Sequence, residues 1–191
     1  MTPLMLLRLA DSAGIDRHAV PLALIAPALE KAVIASEDNR FCAHEGIDWY
    51  AVDDAIDEYQ SEGRLRGAST ITMQTARNLF LWPGGGFARK AIEAGLALAI
   101  DALWPKRRVI EVYLNAIEWG GGVYGAEAAA RLYFKTSAAR LTREQAALLA
   151  AVLPNPRRWS PARPTRYIAE RASAIERRME ALDAPYYPCL K

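Results

Sequence analysis

The sequence predicts an all-α protein, and three observations carry that expectation. The chain is 52% hydrophobic and rich in Ala and Leu, residues that cost little to place in a helix. Its apolar residues recur at three- and four-residue spacing almost throughout. Pro- and Gly-rich breakers punctuate these runs, and no strand-rich stretch, repeat or low-complexity tract lies between them. At 191 residues one domain, open to division into two lobes, can bury a full core.

The elements follow in order. After Pro27, the spacing of Leu29, Val33 and Ser36 predicts a helix that brings Glu37 close to its C-terminus. Asp48 is placed to cap a second helix, with Trp49, Val52, Ile56 and Tyr59 on one stripe and Gly63 as its stop. A third helix starts near Ser69-Thr70, with the Ser69 hydroxyl as the expected cap, and ends before the Pro83-Gly84-Gly85-Gly86 breaker. Ile92, Leu96, Ala99 and Leu103 predict a long buried helix. Pro105 suits the start of the next, with Val109, Val112 and Tyr113 facing inward. Gly120-Gly121-Gly122 interrupts the chain before a helix from about Gly125 to Phe134. Thr142-Arg143-Glu144-Gln145 reads as a capping box for a helix through Val152, which Pro154-Asn155-Pro156 ends. Ile168, Ala172, Ile175, Met179 and Leu182 mark a last amphipathic helix.

Composition removes several function classes. A net charge of +2 does not point to nucleic acid. Local basic clusters at Arg89-Lys90, Lys106-Arg107-Arg108 and Arg157-Arg158 suit either phosphate contacts or solvated helix ends. Two cysteines, Cys42 and Cys189, make no disulfide framework and are expected as free thiols. His18 and His44 supply no zinc spacing, so no metal ligand set is expected. No run reaches the ~20 apolar residues of a membrane helix, and no signal peptide is recognisable. Leu4-Met5-Leu6-Leu7, cut by Arg8, reads as the tail of a membrane segment or as a surface turn.

Chemistry is concentrated in a few runs. Glu37-Asp38 lies among Phe41, His44 and Gly46, surroundings in which a carboxylate can be tuned to act as acid or base near neutral pH. Gly67-Ala68-Ser69-Thr70-Ile71 lacks the second Gly of a nucleophile elbow. Thr70, Gln74 and Arg77 share one helix face, suited to a sugar linked to a phosphate, and Met73, Ala76 and Phe80 share an apolar one. Arg89, Lys90 and Glu93 follow the glycine loop. Arg89 and Glu93 fit an intrahelical ion pair, yet cations at a helix start are better explained by an anionic ligand. Glu37 and Glu93 together supply the acid pair of glycosidic chemistry, and the arginines add a place for a phosphate leaving group.

These runs resemble the peptidoglycan glycosyltransferases of the lysozyme-like type, and most of all their monofunctional biosynthetic transglycosylases of proteobacteria. The resemblance spans residues 27–182 in five ordered blocks: Glu37 to Gly46; Gly67 to Gln74; Arg89-Lys90 with Glu93; Lys106 to Asn115; and Gly122 to Phe134. It implies a bilobed helical domain with a central cleft, preceded by a juxtamembrane segment over 1–26 and followed by a tail over 183–191. It implies polymerisation of lipid II into β-1,4-linked strands, with inversion and release of undecaprenyl diphosphate. Glu37 would be the base on the acceptor 4-hydroxyl, and Glu93 the second acid, orienting cations, assisting the leaving group or helping to hold a metal. Ser69, Thr70, Gln74, Arg77, Arg89 and Lys90 would bind substrate. Asp38, Phe41, His44, Gly67, Asn115 and Gly125 would support the motifs, with Asn115 fixing the turn after it. No cofactor is required, and a divalent ion, Mg or Mn, stays open. Implied partners are lipid II and the lipid-linked strand, a membrane surface, other cell-wall synthesis proteins and a moenomycin-type inhibitor. The implied place is the periplasmic face of a bacterial inner membrane, with the anchor absent from this chain or trimmed. Met73 stands where many relatives carry a second Gln, and Arg77 where many carry Lys. The alternatives are a peptidoglycan-cleaving lysozyme-like enzyme and a non-catalytic assembly module.

Overall fold

Local capping chemistry sets most helix boundaries in the computed structural model, which describes residues 1–9, 14–63, 67–182 and 188–190. Among these the helices are α1 (Pro3–Leu9), α2 (Pro27–Glu37), α3 (Trp49–Glu62), α4 (Ile71–Phe80), α5 (Gly86–Leu103), α6 (Lys106–Ala116), α7 (Ala126–Phe134), α8 (Arg143–Val152) and α9 (Arg166–Ala181). Asp48 caps α3 through the Ala51 N–H, and Gly63 ends it in the left-handed region at φ 67°. Thr142 and Gln145 form the reciprocal capping box of α8. At α4 the cap is Thr70, whose hydroxyl accepts from Met73 N, and not Ser69 as the sequence suggests.

Two apolar clusters give the molecule its lobes. In the larger, α2, α8 and α9 pack on one another, and α6 and α7 join them. Alanines at 126, 128–130, 146, 147, 150 and 151 are fully buried there, small side chains that let the helix backbones come close. The smaller cluster is Ile47, Met73 and Ala97, with Val52 and Ala94 against it, and it ties α3, α4 and α5 together. A short sheet absent from the sequence expectation completes the fold. Its strands are β1 (Asp16–Arg17), β2 (Glu118–Gly120) and β3 (Val123–Tyr124), in the order β1-β3-β2, so the Gly121-Gly122 break is the turn of a hairpin. The residues before Pro27 belong to the same body: Met5 and Leu22 are buried, and Arg8 of α1 pairs with Glu118. No described helix is long and apolar enough to cross a membrane.

Three further expectations are overturned. The buried stripe on α5 is the wrong face: Leu103 is 79% and Ile92 47% exposed, while Glu93, Ala97 and Ile100 are buried. Asn115 does not fix the turn after it. Its amide bonds Val20 in both directions, donating to Val20 O and accepting from Val20 N, and so ties the N-terminal segment to α6.

Cys42 and Cys189 are not free thiols; they form a disulfide across 147 residues, holding the tail against α6. Sequence gives no measure of how near such distant residues come in space. Closing so long a loop restricts the unfolded chain, a stabilisation of about 2–4 kcal/mol. Reduction, or Cys189→Ser, is therefore expected to lower the melting temperature by about 5–15 °C, read by calorimetry with and without dithiothreitol.

Candidate active site

The loop after α2 is held on every side, and this fixes Glu37 at the helix end. Asp38 closes α2, and its carboxylate accepts from Ile71 N at 2.9 Å, placing an anion on the N-terminus of α4. The same carboxylate accepts from His44 Nε2 at 3.0 Å. Phe41 is fully buried beneath the loop, with the Lys106 ammonium 4.8 Å from its ring centre. Gly46 adopts φ +80°, and a Cβ there would meet Ala97 O at 2.7 Å, so only glycine seats the loop on α5. Thr70 donates its hydroxyl proton to Gly46 O at 2.6 Å. That hydroxyl also serves as the cap, so its proton is committed within the fold.

Glu37 itself is 15% exposed at its side chain. Burial pushes its carboxyl above the ordinary value of 4.5; a hydrogen bond from Gln74 and the charges of Arg171 and Arg77 pull it back, and Asp38 adds to the rise. Gln74 Nε2 donates to Glu37 Oε2 at 3.0 Å. Arg171 Nη2, from α9, stands 4.0 Å from Glu37 Oε1.

Glu37 lines a cavity of about 410 Å³ with Asp38, Arg40, Asp54, Ser69 and Arg178. Gln74 lines a second, of about 380 Å³, with Arg8, Arg77, Arg89 and Arg157. Glu37 and its amide partner thus join a mixed polar cavity to one rich in arginine. Both volumes fall in the range of small-ligand sites, roughly 300–1,000 Å³.

The third block is arranged around a buried charge. Glu93 is fully buried, with one oxygen accepting from Arg89 and the other from Lys90 Nζ at 2.7 Å. Lys90 Nζ also donates to Ser69 Oγ at 2.7 Å, which links the second and third blocks and takes up the hydroxyl expected to cap α4. Arg89 further donates Nε to Gly84 O. Glu93 lines neither cavity. Its position is that of a counter-ion beneath two cations, and of its three expected roles this geometry suits orientation of Arg89 and Lys90. Gly125 adopts φ +89°, and a Cβ there would crowd Asn115 O at 3.2 Å, whereas a Cβ at Gly67 would meet open space. No group of three or more His, Cys, Asp or Glu side chains able to hold a metal is assembled among the described residues.

Arg157, of a basic cluster that suits phosphate contacts, does line the arginine-rich cavity, whereas Arg171, Arg40, Arg178 and Arg8 carried no site expectation. Of these four only Arg171 carried a signal. It lies between Ile168 and Ala172 on the buried stripe of α9, where an unpaired charge is costly.

A family model described as transglycosylase matches residues 6–180. The chain is 63% identical over 179 residues to the biosynthetic peptidoglycan transglycosylase of Rhodospirillum centenum, covering 93% of this chain and 78% of that one. It is 50% identical over 190 residues to the protein of the same name from Rhizobium meliloti (100% and 80% covered). For that of Caulobacter vibrioides the figure is 47% over 175 residues (92% and 76% covered).

Proposed function

The chain belongs to the transglycosylase family and is a peptidoglycan glycosyltransferase, and from this premise we propose that it polymerises lipid II with Glu37 as general base. The observation that carries the proposal is the placement of Glu37 on one cavity while its hydrogen-bond partner Gln74 lines the arginine-rich one. The acceptor lipid II occupies the Glu37 side, and the lipid-linked donor strand lays its diphosphate among Arg77 and Arg89.

Glu37 takes the proton from the acceptor 4-hydroxyl as that oxygen bonds to the anomeric carbon of the donor. The bond from that carbon to the diphosphate oxygen breaks on the opposite face. Undecaprenyl diphosphate leaves with the electron pair, and the configuration inverts to β-1,4. A positioned base contributes about 10²–10⁴-fold. The leaving group needs charge stabilisation more than a proton, and cations held in place by Glu93 supply it without reorganising. Lys90 acts through Ser69 and Glu93, and Arg77 is in addition one of the charges that draw the Glu37 pKa down.

Peptidoglycan synthesis places the enzyme in the cell envelope. The disulfide fits an oxidising compartment and supports the periplasmic side. The exposed Phe87, Ile92, Leu98 and Leu103 of α5 support contact with the membrane surface where the lipid substrate resides. Purified enzyme incubated with labelled lipid II is expected to yield lengthening glycan strands, suppressed by a moenomycin-type inhibitor. Soluble fragments released from cell-wall sacculi, with no strand growth, would instead establish a cleaving enzyme.

A further inference from the structure

Tyr113 is fully buried in α6, where its spacing suggests nothing beyond core packing. Its hydroxyl donates to Gln74 Oε1 at 3.0 Å, and Nε2 of that same amide donates to Glu37 Oε2 at 3.0 Å. We propose that Tyr113 is a positioning residue for glycosyl transfer: its hydroxyl decides which end of the Gln74 amide faces Glu37, and so keeps Glu37 a carboxylate ready to take a proton, a role that rests on Glu37 being the general base.

A primary amide is a donor at one end and an acceptor at the other, with almost the same shape either way. In the orientation present, the N–H faces Glu37 and favours its charged form. Turned over, the carbonyl would face Glu37, repel the carboxylate and accept from the carboxylic acid. The choice is made behind the amide. The Tyr113 hydroxyl can accept from an NH₂ group only if its own proton finds another acceptor. At 1% exposure the residue is closed to bulk water, and its hydrogen bond is the one to Gln74 Oε1. Burial, reinforced by the charge of Glu37, holds the phenol proton well above its ordinary range, so the hydroxyl remains a donor at every working pH.

The amide is anchored from its backbone as well, since Asn78 Nδ2 donates to Gln74 O at 2.7 Å. The other charges facing Glu37 are Arg171 from α9, Arg77 from α4 and Asp38 at the end of α2. None of them is altered by removing one oxygen from α6. Tyr113 touches neither substrate nor the reacting atoms; it acts through Gln74.

Tyr113→Phe keeps the ring and removes the hydroxyl. The acidic limb of the kcat–pH profile is expected to move up by about one pH unit, the scale of one hydrogen bond to a charged group. On that limb kcat then falls about tenfold, while KM for lipid II stays within about twofold. Gln74→Leu moves the limb in the same direction, and adding Tyr113→Phe to it moves the limb no further. A limb that stays in place, a loss of kcat equal at all pH, or a Tyr113→Phe chain that does not fold would assign the hydroxyl to stability alone and overturn the proposal. An additive shift in the double variant would overturn its action through Gln74. Substantial turnover by Glu37→Gln, run beside these, would instead remove Glu37 from the base role, so the two failures are told apart.

Discussion

Glu37→Gln is expected to cost at least about 10³-fold in polymerisation turnover while the protein still binds its lipid-linked donor. The amide keeps the shape of the side chain and can still pair with Gln74, but it has no basic lone pair for the acceptor proton. Donor binding survives because the diphosphate charge exists before the transition state and is met by arginines, not by Glu37. Stability separates this outcome from a folding defect. Burial raises the folded-state pKa of Glu37 above the ordinary 4.5, so the folded protein holds the proton more firmly than the unfolded chain. The carboxylic acid form is thus favoured by folding at low pH, and that contribution is lost as pH rises from the unfolded value through the folded one. Glutamine carries no such loss. Above that range the variant should melt at or above the temperature of the parent. Turnover within tenfold of the parent would count against the base role, and a large fall in melting temperature at pH 8 would recast Glu37 as structural.

Local chemistry was legible in the sequence, whereas choices between equivalent partners were not. The Asp48 cap, the Gly63 stop and the Thr142–Gln145 box depend on residues within a few positions, and each lies where the pattern puts it. Ser69 and Thr70 are adjacent hydroxyls, equally able to cap α4. The choice is made 21 residues away, where Lys90 engages Ser69 and leaves Thr70 to the helix. On α5 the apolar spacing of Ile92, Leu96, Ala99 and Leu103 predicts a buried stripe, since periodicity marks an apolar face without saying what covers it. The structure instead buries Glu93, which pairs with Arg89 and Lys90, and exposes Leu103. The motif runs converge in space: Gln74 meets Glu37, Lys90 meets Ser69, and Asp38 meets α4. Sequence could not show that Tyr113 completes this chain of contacts, since a buried tyrosine at core spacing looks the same with or without a partner for its hydroxyl.

Glu93→Gln carries the second large expected effect, and it distinguishes the roles open to that residue. The carboxylate is fully buried, and each of its oxygens accepts from a cation. Removing the charge leaves Arg89 and Lys90 facing one another and an amide, with no anion between them. Breaking a fully buried pair costs about 3–5 kcal/mol. Here the Arg89 and Lys90 side chains keep 15% and 39% exposure, so solvent offsets part of the loss. A cost of about 1–3 kcal/mol is expected, read as a fall in melting temperature of roughly 3–10 °C. Freeing the cations does not improve diphosphate binding, because the loss of direction dominates. Arg89 reaches the cavity with its guanidinium fixed between Glu93 and Gly84 O, and a misplacement of about 1 Å at such a contact costs about 10²-fold in rate. The variant should therefore lose about 100-fold in kcat/KM, with weaker donor binding, and keep the acidic limb of its pH profile where Glu37 sets it. A proton-transferring Glu93 would behave differently: stability would hold, donor affinity would hold, and a second limb would vanish from the profile. Melting, donor titration and the pH profile of one variant thus decide whether Glu93 moves a proton or holds two cations in place for the departing diphosphate.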